Sequence, residues 1–412
     1  MKPHLLSALA CLGLAAAASP ALAQDATITN ARIIVSNGTV IENGSIVVRG
    51  GKIVSVARGA PATRAGVVID ARGMTALPGF VDAHKHINTG PNEKADMADL
   101  IEHGFTTVLS GGGPGDGALT LIQHIESGQI VGPRVLASER INLRGTPEEA
   151  RAAIRAMAAK GIKHTGEIGI TPVPGPPPAE IAVLKAALDE GAKVGVQVNV
   201  HAVSTPAMVA ATEAGIRRQV HLPNKDFMGY DDAQKIVDGG AIVLNLISFG
   251  APIIDVFAKD NTPRFRTGMP WPEAIAGANR DEKGRATGTE AAYTLINARR
   301  IWDASKGLAL GYGSDQNYPV RDVLEHELKS LVVMFSMQDI FRILGPNTAR
   351  YLNMENEIGT LEPGKRADIV LLPSNPLTDF HAMLDPVMVL KDGKVVVDKR
   401  PRPAARPVAR RR

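Results

Sequence analysis

An α/β fold, a (β/α)₈ TIM barrel with a small β-sandwich domain formed from both chain ends, is predicted by three features of this 412-residue sequence. Short apolar runs followed by helical stretches recur eight times through the middle of the chain, the strand-then-helix count of such a barrel. Two β-rich segments with hairpin turns flank that middle, so the chain ends are expected to pair. Histidines and carboxylates recur where the middle strands end, the face on which such a barrel builds its chemistry. Composition agrees: 44% hydrophobic and 21% charged residues describe a globular protein, and 41 glycines with 28 prolines supply frequent turns.

In chain order, residues 1–23 stand outside the fold. MKPHLLSALACLGLAAAASPALAQ has a basic start, an apolar run too short to span a bilayer and an Ala-Leu-Ala end. That is the pattern of a secretory signal cleaved after Ala23, and the expected location is periplasmic or secreted. Cys11, the single cysteine, lies inside this segment, so the mature chain needs no disulfide. Residues 24–76 form the first part of the sandwich: ARIIVSNGTV, GSIVVRGGKIVSV and GVVIDARG alternate in polarity around Asn-Gly and Gly-Gly turns.

Residues 77–357 form the barrel, with strands at GFVDAHKHI, FTTVLS, RVLASE, GIKHTGEIGI, KVGVQVNVHA, RRQVHL, AIVLNLI and LALGYGSD. Helices such as TPEEARAAIRAMAAKG, PPAEIAVLKAALDEG and TPAMVAATEAG start at Thr or Pro and stop at Gly. After the seventh strand, residues 251–288 interrupt the rhythm with a stretch long enough to be a lid or binding loop. Residues 358–399, with IGTLEPGKRADIVLLP and VMVLKDGKVVVD, complete the sandwich. Residues 400–412 hold six arginines and no acid, a composition that stays disordered. Removing those six charges from the net +4 leaves −2 on the rest, which argues against a nucleic-acid binder.

The chemistry is read from the strand ends. Residues i and i+2 of a strand face one side, so His84 and His86 of Asp82-Ala83-His84-Lys85-His86 converge. Glu167 lies on the fourth strand, His201 and His221 end the fifth and sixth, and Asp315 ends the eighth. Four imidazoles and two carboxylates at five strand ends make a transition-metal site. The signal is this registration with strand ends; His103, His124, His326 and His381 fall on helices or loops and are read as structural. Lys85, Asn88, Arg140, Arg144 and Asn224 follow strand ends and are placed to meet a substrate carboxylate or amide. Trp271 and Phe265, with Arg264 and Arg266, are lid candidates.

GFVDAHKHI, the later single histidines and GYGSD, set between GKIVSV and IGTLEPGKRADIVLL, resemble the amidohydrolase superfamily over nearly the whole mature chain. The resemblance implies a barrel with an appended β-sandwich and metal-dependent hydrolysis. It implies that His84, His86 and Asp315 hold a first metal and that His201 and His221 hold a second. Two-metal members of the superfamily add a bridging ligand from strand four, most often a carboxylated lysine. In GIKHTGEIGI, Lys163 and Glu167 share a parity, while His164 has the other and is expected to face the helices. Lys163 lies about 13 Å deeper along the strand than Glu167, at ~3.3 Å per residue, so Glu167 is favoured as level with the other ligands.

TGEIGIT with the proline-rich loop after it, NVHAVS and VHLPN resemble enamidase, a bacterial cyclic-amide hydrolase with a bridging glutamate. Two divalent metal ions follow as cofactors, zinc first, with Fe²⁺ or Mn²⁺ as alternatives. The implied reaction is hydrolysis of an amide or cyclic-amide C–N bond, with a metal-bridging hydroxide as nucleophile and Asp315 as general base and then acid. Alternatives are a mononuclear aminohydrolase (deaminase), which needs no strand-four bridge, and a peptidase or N-acyl amino acid hydrolase. A catalytically dead binding scaffold would have lost a ligand. The expected partner is a small-molecule amide, with no nucleic acid, no stable membrane insertion and a homo-oligomeric assembly.

Overall fold

The computed structural model describes residues 25–247, 288–315 and 319–401. The expected signal segment, most of the basic tail, and Trp271, Phe265, Arg264 and Arg266 lie outside the described residues. Among the described residues no helix is long and apolar enough to cross a membrane.

The N-terminal strands are β1 (Ala26–Ile34), β2 (Val40–Arg49), β3 (Lys52–Arg58), β4 (Val67–Asp70) and β5 (Thr75–Pro78). Parallel strands follow: β6 (Phe80–Lys85), β7 (Phe105–Ser110), β8 (Arg134–Leu136), β9 (Ser138–Glu139), β10 (His164–Gly169), β11 (Gln197–His201), β12 (Arg218–Val220), β13 (Ile242–Asn245) and β14 (Leu310–Tyr312). The chain returns through β15 (Ile369–Leu372), β16 (Met388–Lys391) and β17 (Lys394–Asp398).

Both ends build one eight-stranded sheet in the order β17-β16-β15-β5-β1-β2-β3, with β4 also on β1. The two ends meet where β15 runs antiparallel to β5, Ile369 opposite Pro78 and Leu372 opposite Thr75. Gly50 and Gly51 have φ of 54° and 78°, the left-handed pair that a tight β2–β3 hairpin requires. Ile28, Ile33, Ile46, Ile53 and Ile69 pack with Ile369, Leu371 and Leu390 into a core of this sheet's own.

The parallel strands form two sheets, β6-β7-β8 and β9-β10-β11-β12-β13-β14. Only Ala137 separates β8 from β9, which are halves of one predicted strand, and a parallel bridge between Lys85 and Asp315 links the first strand to the last. Their apolar side chains Val81, Ala83, Val220, Leu244 and Leu246 meet Tyr351, Leu352 and Ile358 in a third apolar cluster. Arg134 of β8 reaches across to the terminal sheet and pairs with Asp368 at 2.8 Å and Asp392 at 2.7 Å.

The helices between strands start as their sequences direct. Thr146 and Glu149 form a reciprocal capping box on helix Pro147–Ala159, satisfying amides that would otherwise lack partners. Ser204 caps Thr205–Glu213. One predicted stop differs: helix Pro178–Val194 runs through Gly191 and ends at the left-handed Gly195. Gly191 serves packing there, since a Cβ would come within 2.4 Å of the Val196 carbonyl oxygen.

Candidate metal centre

Strand ends carry the centre. His84 and His86 project to one side at the end of β6, while Glu167 comes from β10, His201 from the end of β11, and His221 and Asp315 from just past β12 and β14. Backbone bonds lock these segments together: His86 N–H donates to the Asp315 carbonyl, and the Asp315 N–H donates to the His84 carbonyl. Gly111, just after β7, donates its N–H to the Lys85 carbonyl and accepts from the Glu167 N–H. Asp82 clamps the same region, its Oδ1 accepting from the N–H of His84 and of Ser314.

The polar atoms converge on Glu167. Its Oε1 lies 3.3 Å from His86 Nε2, and its Oε2 lies 2.7 Å from His201 Nδ1, 3.2 Å from His221 Nε2 and 3.6 Å from His84 Nε2. Asp315 Oδ1 is 3.1 Å from His86 Nε2 and 3.8 Å from His84 Nε2. Three ligand sets emerge: His84, His86 and Glu167; His84, His221 and Asp315; and Glu167, His201 and His221. Within each set the ligand atoms lie within 4.8 Å of one another.

This donor set fits divalent cations. His84 Nε2, His86 Nε2 and Asp315 Oδ1 are buried and make no hydrogen bond, although they point at one another. Buried polar atoms left in that state are costly, and a cation would satisfy all three. His221 and Asp315 also hold left-handed backbones, φ 70° and 61°, which cost about 1–3 kcal/mol each at non-glycine residues and gather at functional sites.

Electrostatics sharpen the roles. Burial pushes the His84 imidazole down to about 3 and also lowers His221, so both are neutral and keep a lone pair for a metal. Burial opposes charge on Glu167 too, but His201, His221 and His86 outweigh it and hold the carboxyl far below its usual range. Asp315 is lowered the same way, burial being outweighed by His86, His84 and His221. Burial likewise opposes charge on His86, yet Asp315 and Glu167 raise it to about 9.

Other predicted residues divide. Lys163 is exposed. A β-bulge between His164 and Glu167 removes the parity argument used for that strand. His164 is nonetheless absent from the ligand sets, buried within electrostatic reach of Arg218, and pushed down to about 3 mainly by that burial. Lys85 must be corrected: it is fully buried, facing away from its histidine neighbours, so it cannot meet substrate at the mouth. Its ammonium is lowered to about 8 by burial, with Asp82 the strongest opposing charge. Asn88 is half-buried; its amide donates to the Pro114 carbonyl and its Oδ1 accepts from the Thr89 N–H, bonds that hold the loop. Asn224 keeps a buried Oδ1 without a partner among the described residues, and Arg140 stands half-exposed beside Glu167. Trp271 lies outside the described residues.

Sequence reasoning missed the glycines. A Cβ on Gly111 would fall 2.8 Å from His84 Cε1 and 3.1 Å from His86 Cδ2, so the imidazoles need a bare backbone there. The run Gly111-Gly112-Gly113 directly after FTTVLS was the available signal. Asp82, two residues before the first histidine, was another.

Comparisons with known proteins follow this geometry. A prolidase structure complexed with N-methylphosphonate-L-proline is 22% identical with TM-score 0.70, covering 91% of this chain and 100% of that one. A Xaa-Pro dipeptidase with bound methionine is 20% identical with TM-score 0.71 over 90% of this chain and 99% of that one. Aspergillus niger ochratoxinase is 16% identical with TM-score 0.70 over 92% and 96%. At these identities the likeness is one of fold. Among curated proteins, adenine deaminase of Ruegeria sp. is 28% identical over 314 residues, 74% of this chain and 46% of that protein. The 5-methylthioadenosine/S-adenosylhomocysteine deaminase of Symbiobacterium thermophilum is 29% identical over 117 residues, 23% of this chain and 27% of its own length. The chain thus spans less than half the length of these curated relatives. The amidohydrolase family model matches residues 75–396, from β5 into β17, and the chain belongs to the amidohydrolase family.

Proposed function

We propose that this chain hydrolyses the C–N bond of an amide or cyclic amide at two divalent cations, zinc first, held by His84, His86, His201, His221, Asp315 and a bridging Glu167. One observation carries the reading: the sets His84–His86–Glu167 and Glu167–His201–His221 have only Glu167 in common, with His86 closest to its Oε1 and His201 and His221 closest to its Oε2. In this reading the eight parallel strand positions close as a barrel and the terminal sheet folds over its core as a sandwich.

When bound, the cations lower the pKa of a coordinated water and polarise the scissile carbonyl. The chain's own residues do the rest. His84 and His221 present neutral imidazoles because burial keeps protons off them. Asp315, kept ionised by its imidazole neighbours, accepts the proton of the attacking water and returns it to the leaving nitrogen. One carboxylate thus serves as base and then acid. The buried walls of the centre strengthen each of these interactions.

Two neighbouring chemistries are alternatives. The matched curated proteins are named deaminases, which favours an aminohydrolase with one metal. The prolidase and dipeptidase structures favour peptide-like amides. Metal analysis of purified protein with a panel of lactams, cyclic imides, N-acyl amino acids, dipeptides and adenine decides among them. Two equivalents with amide turnover supports the proposal, one equivalent with ammonia release supports the deaminase, and no metal at all supports a binding scaffold. Export is a further part of the proposal, and N-terminal sequencing of mature protein should begin at Gln24.

A further inference from the structure

Arg140 follows β9 immediately and enters the centre through a slot made by two glycines. A Cβ on Gly112 would lie 2.7 Å from Arg140 Nε and 3.2 Å from its Cγ, and one on Gly166 would lie 3.1 Å from Cγ. Alanine at Gly112 would press on the arginine stem, and alanine at Gly166 would meet the Gly112 Cα at 2.7 Å before the stem. Gly112 also has φ 138°, a conformation other residues rarely adopt. Two separate strand ends are therefore bare where this one side chain passes, so the fold fixes the stem while its guanidinium emerges at the mouth.

Among the described residues that guanidinium has little to bind. Its side chain is 55% exposed, and its ion pair with Glu167 Oε1 spans 3.8 Å, beyond hydrogen-bond length. Among the described residues it donates no hydrogen bond. Glu167 is already engaged by four imidazoles. Arg134 shows the contrast: a structural arginine here closes on Asp368 and Asp392 at 2.8 Å and 2.7 Å. An arginine with a fixed stem and an unfilled fork suits an anion from solution, since a carboxylate takes two parallel N–H bonds from it.

A cleft of about 390 Å³, lined from Ile141 to Arg144 and from Ile168 to Thr171, lies between the loop after β9 and the end of β10, the segments that follow Arg140 and Glu167 in the chain. The one acid lining this cleft, Glu180, is occupied by the N–H and hydroxyl of Thr171 at 2.8 Å and 2.7 Å. The same two segments thus carry Arg140, the shared carboxylate Glu167 and a cleft of the size that small molecules fill.

We propose that Arg140 is the anchor for a substrate carboxylate, so that the preferred substrates are amides carrying a free carboxylate close to the scissile C–N bond. The inference rests on the hydrolase reading above. It makes Arg140 a specificity-determining residue and Gly112 and Gly166 its positioning residues.

The test uses metal-loaded protein and matched probes, N-acyl amino acids against the corresponding N-acyl amino acid amides. Turnover is followed by kcat/KM and binding by calorimetry. Wild type should favour the acid over its amide by about 10- to 100-fold in both readouts, the range of a charge-assisted hydrogen-bond pair. Arg140→Ala should bring that ratio near one, chiefly through KM and Kd for the acid, with metal content as in wild type. Arg140→Lys should restore part of the ratio, and Gly112→Ala should lower it. An equal loss on acid and amide, a loss of metal, or no acid preference in wild type would each overturn the anchor. Cleavage of neutral amides without acid preference sinks this inference and leaves the hydrolase reading standing. Arg140-dependent binding of the acids without any C–N cleavage does the reverse.

Discussion

Asp315 combines two demands in one residue: its Oδ1 belongs to a ligand set, and its backbone is held left-handed against its own preference. If its carboxylate is the proton carrier, Asp315→Asn should keep metal yet lower kcat by about 10²–10⁴-fold, the usual worth of a positioned acid–base group. Substantial turnover in a metal-replete variant would remove it from that role. Glu167 makes a separate prediction. Glu167→Ala should drop metal content from two equivalents to one or none, and wild-type activity should not change on adding bicarbonate. A bicarbonate response would implicate lysine carboxylation at the exposed Lys163.

The histidines predict how chelator-treated protein responds to pH. His86, raised to about 9, contributes stability that is complete below its unfolded value near 6.5 and is lost as pH climbs through 9. His84, lowered to about 3, works in the other direction, so stability also falls as pH drops below about 6.5. Denaturation of the metal-free protein should therefore show greatest stability near neutrality and a decline from there towards pH 8, above which the buried Lys85, lowered to about 8, opposes the further loss. His86→Asn should flatten that alkaline limb. An unchanged limb would mean that another group governs it.

At the scale of elements, the centre depends on connections between strands more than on any one strand. Gly111 lies against the imidazoles of His84 and of His86, just past β6, and hydrogen-bonds to β6 and to Glu167 of β10. Gly111→Ala should push the His84 and His86 rings from their positions, weakening metal affinity at least tenfold in a competition titration, while far-ultraviolet circular dichroism stays native. Wild-type affinity in that variant would show that the loop yields. Asp82 ties the β6 turn to Ser314 in the same way, and burial raises its carboxyl to about 6. The β-bulge in β10 shows why strand counting was insufficient: one extra residue breaks the period-two rule on which the parity of Lys163, His164 and Glu167 relied.

At the scale of the whole molecule, the terminal sheet has a core of its own but also lends Ile34, Leu77, Val370 and Leu372 to the apolar cluster of the parallel strands and helices, and polar contacts add to that junction. Arg134, largely buried, connects β8 to Asp368 and Asp392 of the terminal sheet. Removing it leaves the buried Asp368 without a cation, which costs about 3–5 kcal/mol, while the part-exposed Asp392 keeps Arg366 at 2.9 Å. Arg134→Ala should lower the unfolding midpoint by that equivalent and leave the metal affinity of refolded protein intact. A loss well under 1 kcal/mol would show the junction to be held by apolar packing.

Much of this was legible in one dimension. The eight predicted runs all contain parallel strands, because apolar runs with turn residues between them are a local property of the chain. His84, His86, His201, His221, Glu167 and Asp315 could be picked out together because strand ends of a parallel α/β array share one face, so position along each strand stands in for distance. What the sequence could not decide depends on contacts between residues far apart in the chain. Burial turned Lys85 away from the mouth although it sits between two candidate ligands, since adjacent strand residues face opposite sides. The glycine slots around Arg140 and the imidazoles exist only because Gly111, Gly112 and Gly166 meet strands that are remote in sequence. Residue type and period determined which groups could reach one face of the fold; only close packing decided which of them face one another there.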